Sequence, residues 1–121
     1  MSMKYREEER EGGLILHIEG RIDAIAAPLL EESTTQKIDG EGKKFLLFNF
    51  CQVEYMSSAG LRLLLSVTKK IKDLSGFFAL YDISEEVMGA ITLAGFNYIL
   101  NIYESEEEAI TELKLSVQRS S

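Results

Sequence analysis

Two short apolar runs, residues 45–50 and 77–81, flank a stretch in which leucines recur at helical spacing, and that order leaves little choice of fold. Too many residues separate the runs for a hairpin, so the chain must cross over and lay the second strand parallel to the first, with right-handed connection. The same alternation extends in both directions. It predicts the order β-β-α-β-α-β-α-β-α without repeats or linkers, which is an α/β fold with a mixed, mainly parallel sheet of about five strands and about four α-helices. At 121 residues the chain is long enough to bury a real core, and residues 1–121 read as a single domain.

Residues 3–10 mix Tyr5 with many charges and predict a solvated edge strand. Gly12-Gly13 then signals a turn, and Leu14-Ile-Leu-His-Ile-Glu19 returns as its partner, with Leu14, Leu16 and Ile18 on one face and Ile15, His17 and Glu19 on the other. Pro28 suits the first turn of a helix, and Ala27 before it is steered away from helical geometry. That helix is expected to reach Ile38, with Leu29, Leu30, Thr34 and Ile38 inward and Gly40-Glu-Gly42 closing it. Asp23, just upstream, is either an acid at the helix start or a turn former.

The run 45–50 lacks alternation, as a strand covered on both faces should, and its one polar residue, Asn49, reads as a hydrogen-bonded amide at the strand end. A short loop is expected to lead from it to the helix. In that helix Leu61, Leu64, Leu65, Thr68 and Ile71 form the expected inner stripe and Arg62, Ser66, Lys69 and Lys70 the outer side, with Leu63 and Val67 beside the outer face. Gly76 suits the cap or turn that follows. Ser84 is the expected N-cap of a third helix whose apolar side is Val87, Ile91 and Leu93 or Ala94, ended by Gly95. Residues 96–102 are expected to form a last strand. An acidic start then opens a helix with Ala109, Ile110, Leu113 and Val117 inward and a frayed Arg-Ser-Ser end.

The chemistry concentrates where the apolar spacing switches from strand to helix, in Val53-Glu-Tyr-Met-Ser-Ser-Ala-Gly-Leu-Arg-Leu-Leu-Leu65. Ser57 and Ser58 stand at a helix N-terminus, where free backbone N–H groups and the macrodipole favour negative charge. A serine there either caps the helix, an interaction worth about 1 kcal/mol, or carries a phosphate of roughly −1.5 to −2 charges that the helix start tolerates. Nucleophilic catalysis lacks its parts: His17 is the only histidine, and no G-x-S-x-G or glycine-rich phosphate loop is present. The lone histidine and absent cysteine cluster speak against a metal site, and no cofactor is implied. The reading is a regulated contact point, not an enzyme.

A net charge of −7 argues against nucleic acid and anionic membrane surfaces as partners. No apolar run approaches the roughly 18 residues of a membrane span, and the charged N-terminus lacks a signal-peptide core. Cys51, the single cysteine, forms no internal disulfide and reads as a small buried or loop residue. The expected compartment is the cytoplasm.

In order and spacing, Gly20-Arg-Ile-Asp23, Phe45-Leu-Leu-Phe-Asn-Phe50, Tyr55-Met-Ser-Ser-Ala-Gly-Leu-Arg62, Gly76, Leu93-Ala-Gly-Phe96 and Glu107-Glu-Ala109 resemble the stand-alone bacterial anti-sigma-factor antagonists (anti-anti-sigma factors) of the sulphate-transporter and anti-sigma-factor-antagonist (STAS) domain family. The resemblance covers nearly the whole chain. It implies a partner-switching phosphoprotein of transcription regulation. The unphosphorylated form binds an anti-sigma factor that is also a serine protein kinase, releasing the sigma factor; phosphorylation ends binding and a metal-dependent serine phosphatase reverses it. Matching the family's Asp-Ser-Ser-Gly-Leu pattern to Ser57-Ser-Ala-Gly-Leu61 places the acceptor at Ser58, with Ser57 as the alternative. The partner-binding surface implied is Asp23, Ala24 and Ile25 with Ser57, Ser58, Gly60, Leu61 and Arg62, on a monomer. Two departures from the family, Asn49 and Ser57 where acids are frequent, remove negative charge near the turn. The competing reading is a STAS scaffold, or a sensor of a nucleotide or other small ligand, without phosphorylation.

Overall fold

The structure, a computed structural model, describes residues 3–120. Strands β1 (Lys4–Arg10), β2 (Gly13–Ile22), β3 (Phe45–Met56), β4 (Phe77–Tyr81) and β5 (Ile102–Tyr103) lie side by side in chain order. β1 and β2 form an antiparallel hairpin, and every later neighbour is parallel. Helices α1 (Ala26–Thr35), α2 (Ser58–Asp73) and α3 (Glu85–Leu93) make the three crossovers, and α4 (Glu106–Arg119) closes the chain. The predicted α/β order is therefore the observed one. Because the strands never reverse their order, right-handed connections put all three crossover helices on one face of the sheet.

The burial pattern agrees. The larger core joins Leu14, Leu16, Ile18, Leu46, Phe48 and Phe50 of the sheet to Leu30 of α1, Leu63, Leu64 and Val67 of α2, and Val87 and Ile91 of α3. The smaller core, on the opposite face, joins Ile15, Leu47, Ala79 and Tyr81 to Ala109, Ile110 and Leu113 of α4. β3 contributes alternate residues to both, which explains why 45–50 is apolar except at Asn49. Phe48 and Phe78 meet edge to face, with ring centroids 4.9 Å apart.

Several expectations are corrected. α1 begins at Ala26, so Ala27 is helical despite the following proline, because Asp23 supplies the acceptors for the first turn. Ala26 and Ala27 occupy the inward positions there, and Leu29 is left exposed. A π turn at Gln36–Gly40 ends the helix, and Gly42 beyond it takes φ +69°. The inner stripe of α2 is Gly60, Leu63, Leu64, Val67 and Ile71, whereas Leu61, Leu65 and Thr68 are only half-buried. No loop precedes α2: β3 continues to Met56, with shifts of register against β2 between His17 and Glu19 and between Gly20 and Arg21. β4 pairs with β3 only as far as Asn49, so Cys51 lies exposed on the strand beyond, neither buried nor in a loop. Asn49 is accordingly mid-strand. Its Nδ2 donates to His17 Nδ1 (2.8 Å) and its Oδ1 accepts from the Cys51 N–H (3.0 Å).

In α3, Leu93 and Ala94 point outward. Residues 96–98 form a 3₁₀ turn instead of strand, and β5 keeps only two residues. α4 stays helical to Arg119, and of the end expected to fray Ser121 lies outside the described residues. Ser75, not Gly76, takes the left-handed turn at φ 58°. Gly76 is needed for close approach: Lys44 O accepts the Phe77 N–H at 2.8 Å, and a Cβ on residue 76 would overlap that oxygen.

Gly76→Ala is therefore expected to cost at least about 2 kcal/mol in urea unfolding, a value in the range of backbone clashes. Gly89→Ala in α3, where no neighbour lies within 4 Å of the new Cβ, is expected to stabilise by about 0.5–1 kcal/mol.

Candidate functional site

The end of β2 and the end of β3 meet at the pair Ile22–Met56, and each strand then enters a helix. Ser57 joins the two exits. Its N–H and its Oγ both donate to the Ile22 carbonyl, each at 2.9 Å, while the same Oγ accepts from Gly60 N at 3.1 Å. Ser57 is thus the N-cap of α2, half-buried, with its hydroxyl used as donor and acceptor. Ser58, the first helical residue, is exposed, and its hydroxyl has no partner among the described residues. The two serines, either of which the local sequence allows as cap, have different surroundings.

The loop on the other strand is organised by Asp23. Its Oδ1 accepts from Ile25 N (3.1 Å) and Ala26 N (2.8 Å), and its carbonyl accepts from Ala27 N (3.0 Å). Asp23 is both the turn former and the acid at the helix start. The Ala26 N–H above all, then the Ile25 N–H and the Arg21 charge, hold its carboxyl below the usual carboxylate range. With the backbone so fixed, Ile25 projects almost free, 79% exposed, and Leu29 one turn later is 62% exposed. Leu29 was placed in the core by its spacing. The clue to its real position is that Ala26 and Ala27 already fill the inward phase.

Among the other expected contact residues, Ala24 and Arg62 are exposed, and Leu61 is half-buried against the larger core. Arg62 stands one helical turn beyond Ser58 and makes no ion pair among the described residues. Gly60 differs from the rest of the set: it is buried, and a Cβ there would collide with Met56 Sδ and lie 3.0 Å from Ile22 Cγ2. Its part is to let α2 approach the strand ends. α1 and α2 are tied further along by Ser66 Oγ donating to Glu31 Oε2 at 2.9 Å. No group of three metal-ligating side chains occurs among the described residues.

A hydroxyl with no competing bond, at a helix start and between exposed apolar and cationic side chains, can accept a phosphate without disturbing a capping interaction. Residues 4–109 match the family described as the STAS domain. The chain belongs to this family. Among its STAS relatives, the anti-sigma F factor antagonist of Paenibacillus polymyxa is 24% identical over 115 residues, 95% of this chain and 98% of the relative. An anti-sigma factor antagonist from Mycobacterium paratuberculosis has the same fold, with a TM-score of 0.84 at 23% identity over 93% of this chain and 95% of that one. The anti-sigma factor antagonist SpoIIAA in its unphosphorylated form gives a TM-score of 0.79 at 20% identity over 92% and 96%. SpoIIAA has also been solved in the phosphorylated form (TM-score 0.70, 19% identity, 91% and 99% covered). No helix among the described residues of this STAS chain is long and apolar enough to cross a membrane.

Removing the two hydroxyls should have unequal effects. Ser57→Ala is expected to lower unfolding free energy by about 1–2 kcal/mol, through loss of the cap and of the bond to Ile22. Ser58→Ala is expected to change it by less than about 0.5 kcal/mol. The lowered pKa of Asp23 means that its caps are complete above the ordinary aspartate range and are lost only as pH falls through the lower, folded-state value. In an amide NMR titration, Ile25 and Ala26 should therefore move with an acid midpoint below that of a free aspartate, and Asp23→Asn should abolish the transition.

Proposed function

We propose that this chain is an anti-sigma-factor antagonist that works by partner switching, with Ser58 as the phosphorylated residue. Its relatives carry the antagonist name. The observation that carries the residue assignment is the difference between the two serines: Ser57 is committed to Ile22 and Gly60, whereas Ser58 is exposed and unbonded. Phosphorylating Ser57 would first break the α2 cap. Phosphorylating Ser58 breaks no hydrogen bond among the described residues.

In the unphosphorylated state Ser58, Leu61 and Arg62 of α2, together with Asp23, Ala24, Ile25 and Leu29 across the strand ends, form the face offered to an anti-sigma factor that is also a serine kinase. Ile25 and Leu29 supply the apolar area and Arg62 the charge. A phosphate of roughly −1.5 to −2 charges on Ser58 sits at the positive end of α2, where the first N–H groups lack intrahelical acceptors, and within one turn of Arg62. The chain itself therefore has little reason to rearrange. What changes is the interface: a desolvated anion replaces a neutral hydroxyl, and Arg62 turns from a contact for the partner to a counterion for the phosphate. A metal-dependent serine phosphatase restores the binding form. Ser57, which stands where the family often has an acid, leaves the unmodified turn less negative, whereas Asn49 lies mid-strand, bonded to His17, away from that turn.

Peptide mass spectrometry of the protein purified from its native cells tests the assignment. The expected result is a single, partial phosphate on Ser58, absent from Ser58→Ala. Phosphate on Ser57 alone, or none under any growth condition, would contradict the reading.

A further inference from the structure

The charge of this protein is strongly segregated. Eleven of its thirteen Lys and Arg precede Asp73 and the other two follow Leu113, whereas nine of its twenty acids fall within residues 73–113. That segment carries −9 without one basic residue, and the remainder of the chain carries +2. α3 and the turns on either side of it form the middle of the acidic segment. Asp82, Glu85, Glu86 and Glu104 are exposed there and enter no ion pair among the described residues.

The same region carries the most exposed apolar side chains of the molecule. Leu93 at the end of α3 is 91% exposed and Tyr98 in the following turn 89%, with Ile99 beside it half-exposed. Three open clefts adjoin α3: one, of about 760 Å³, places Glu86 and Ser84 beside Arg21 and Glu54, and the other two have apolar floors. Of these two, the larger, of about 650 Å³, lies between the β4–α3 and β5–α4 turns and is lined by Ile83, Met88, Ile102 and Tyr103 along with Asp82 and Glu104. The smaller, of about 520 Å³, is floored by Ile83, Met88, Gly89 and Leu93 and edged by Glu85. Ile83 and Met88 line both, so the two clefts lie side by side with these residues between them. No basic side chain lines either of these two.

We propose that this acid-edged apolar surface of α3 is a second docking site, which takes a cationic amphipathic helix of a partner protein. Its floor fits the apolar stripe of such a helix, for which an adaptable methionine and a protruding leucine are suited. Its edge, all of one sign, attracts lysines or arginines on the flanks and repels an acidic segment, which sets the class of partner. A second copy of this chain meeting it α3 to α3 does not fit, because it would bring the same excess of negative charge to the contact. The site stands apart from the serines of α2 and does not rest on the switching mechanism. It would hold a partner regardless of the state of Ser58.

The probe is a synthetic helical peptide of leucine and lysine with all leucines on one face. A peptide of the same composition with the leucines scattered and one with glutamate for lysine are the controls. Binding is followed by fluorescence anisotropy and mapped by amide NMR shifts. The expected result is saturable binding of the amphipathic cationic peptide alone, with shifts confined to residues 82–104. Leu93→Ser, and separately Glu85→Gln with Glu86→Gln, should each weaken it at least ~10-fold, and Ser58→Asp should leave it unchanged. Equal binding of the scattered peptide, shifts spread over α4 and β1, or indifference to Leu93→Ser would overturn the proposal. So would sedimentation equilibrium showing that α3 is covered by self-association lost in Leu93→Ser. The exposed position of Leu93 keeps its variant folded, which the same NMR spectra verify.

Discussion

The structure around the candidate site depends on one carbonyl. Ile22 O receives both the N–H and the hydroxyl of Ser57, and in doing so holds the exit of β2 against the start of α2. Two loops far apart in sequence thereby become one surface. On the β2 side, Asp23 uses its carboxylate and its carbonyl to start α1 and leaves Ile25 and Leu29 outward. On the β3 side, Ser57 uses its hydroxyl twice and leaves Ser58 unbonded. Gly60 completes the arrangement, because any side chain there would push α2 away from Met56 and Ile22. Adjacent serines thus divide the work: one fixes the geometry and the other is left available for chemistry.

The sheet explains how this surface is held. Three parallel crossovers load one face of the sheet with α1, α2 and α3, and a single helix, α4, closes the other. β3 is central and buried on both faces as far as Phe50; beyond that it pairs with β2 alone, and Val53 and Met56 keep its end packed. Edge strand β1 is charged along its length and paired to the π turn after α1 through Lys37–Glu7 and to the loop before β3 through Lys43–Glu9, a composition that discourages edge-to-edge association. Electrostatically the two regions differ: beside Ser58, Arg62 makes no ion pair among the described residues, whereas Asp82, Glu85 and Glu104 edge the apolar clefts of α3. A phosphate at Ser58 and a cationic segment at α3 are therefore compatible events on one small protein.

Much of this was legible in the sequence, because the period of the apolar residues survives folding. The order of strands and helices and the two covered faces of β3 follow directly from it, and Ser84 is the N-cap its type suggests. What the sequence hid has local physical causes. The inner stripe of α2 is offset because Gly60, which looks like a helix-start residue, is the point of closest packing and draws Leu63 inward in place of Leu61. Leu29 looks like core because it is a leucine at helical spacing, yet two alanines already occupy the buried phase. β3 outlasts its apolar run because β2 keeps pairing with it past the point where β4 stops, and polar residues such as Gln52 and Glu54 are acceptable on a strand with one neighbour. Leu93 and Tyr98 read as core or strand by type alone. Within the site, spacing finds both serines and the family resemblance implies Ser58 as the acceptor, while the hydrogen bonds of Ser57 give the physical difference between them.

The central claim is that charge on Ser58 acts on the interface and not on the fold. Titration calorimetry with the anti-sigma factor that binds the unmodified chain tests it most directly, comparing Ser58→Asp with the wild type and recording the amide NMR spectrum of each. The expected result is a Kd at least ~100-fold weaker for Ser58→Asp, roughly 2.7 kcal/mol, with spectral changes limited to the first turn of α2 and the Asp23 loop facing it. Undiminished affinity with an intact spectrum would contradict the account, and so would lost affinity accompanied by shifts throughout the sheet.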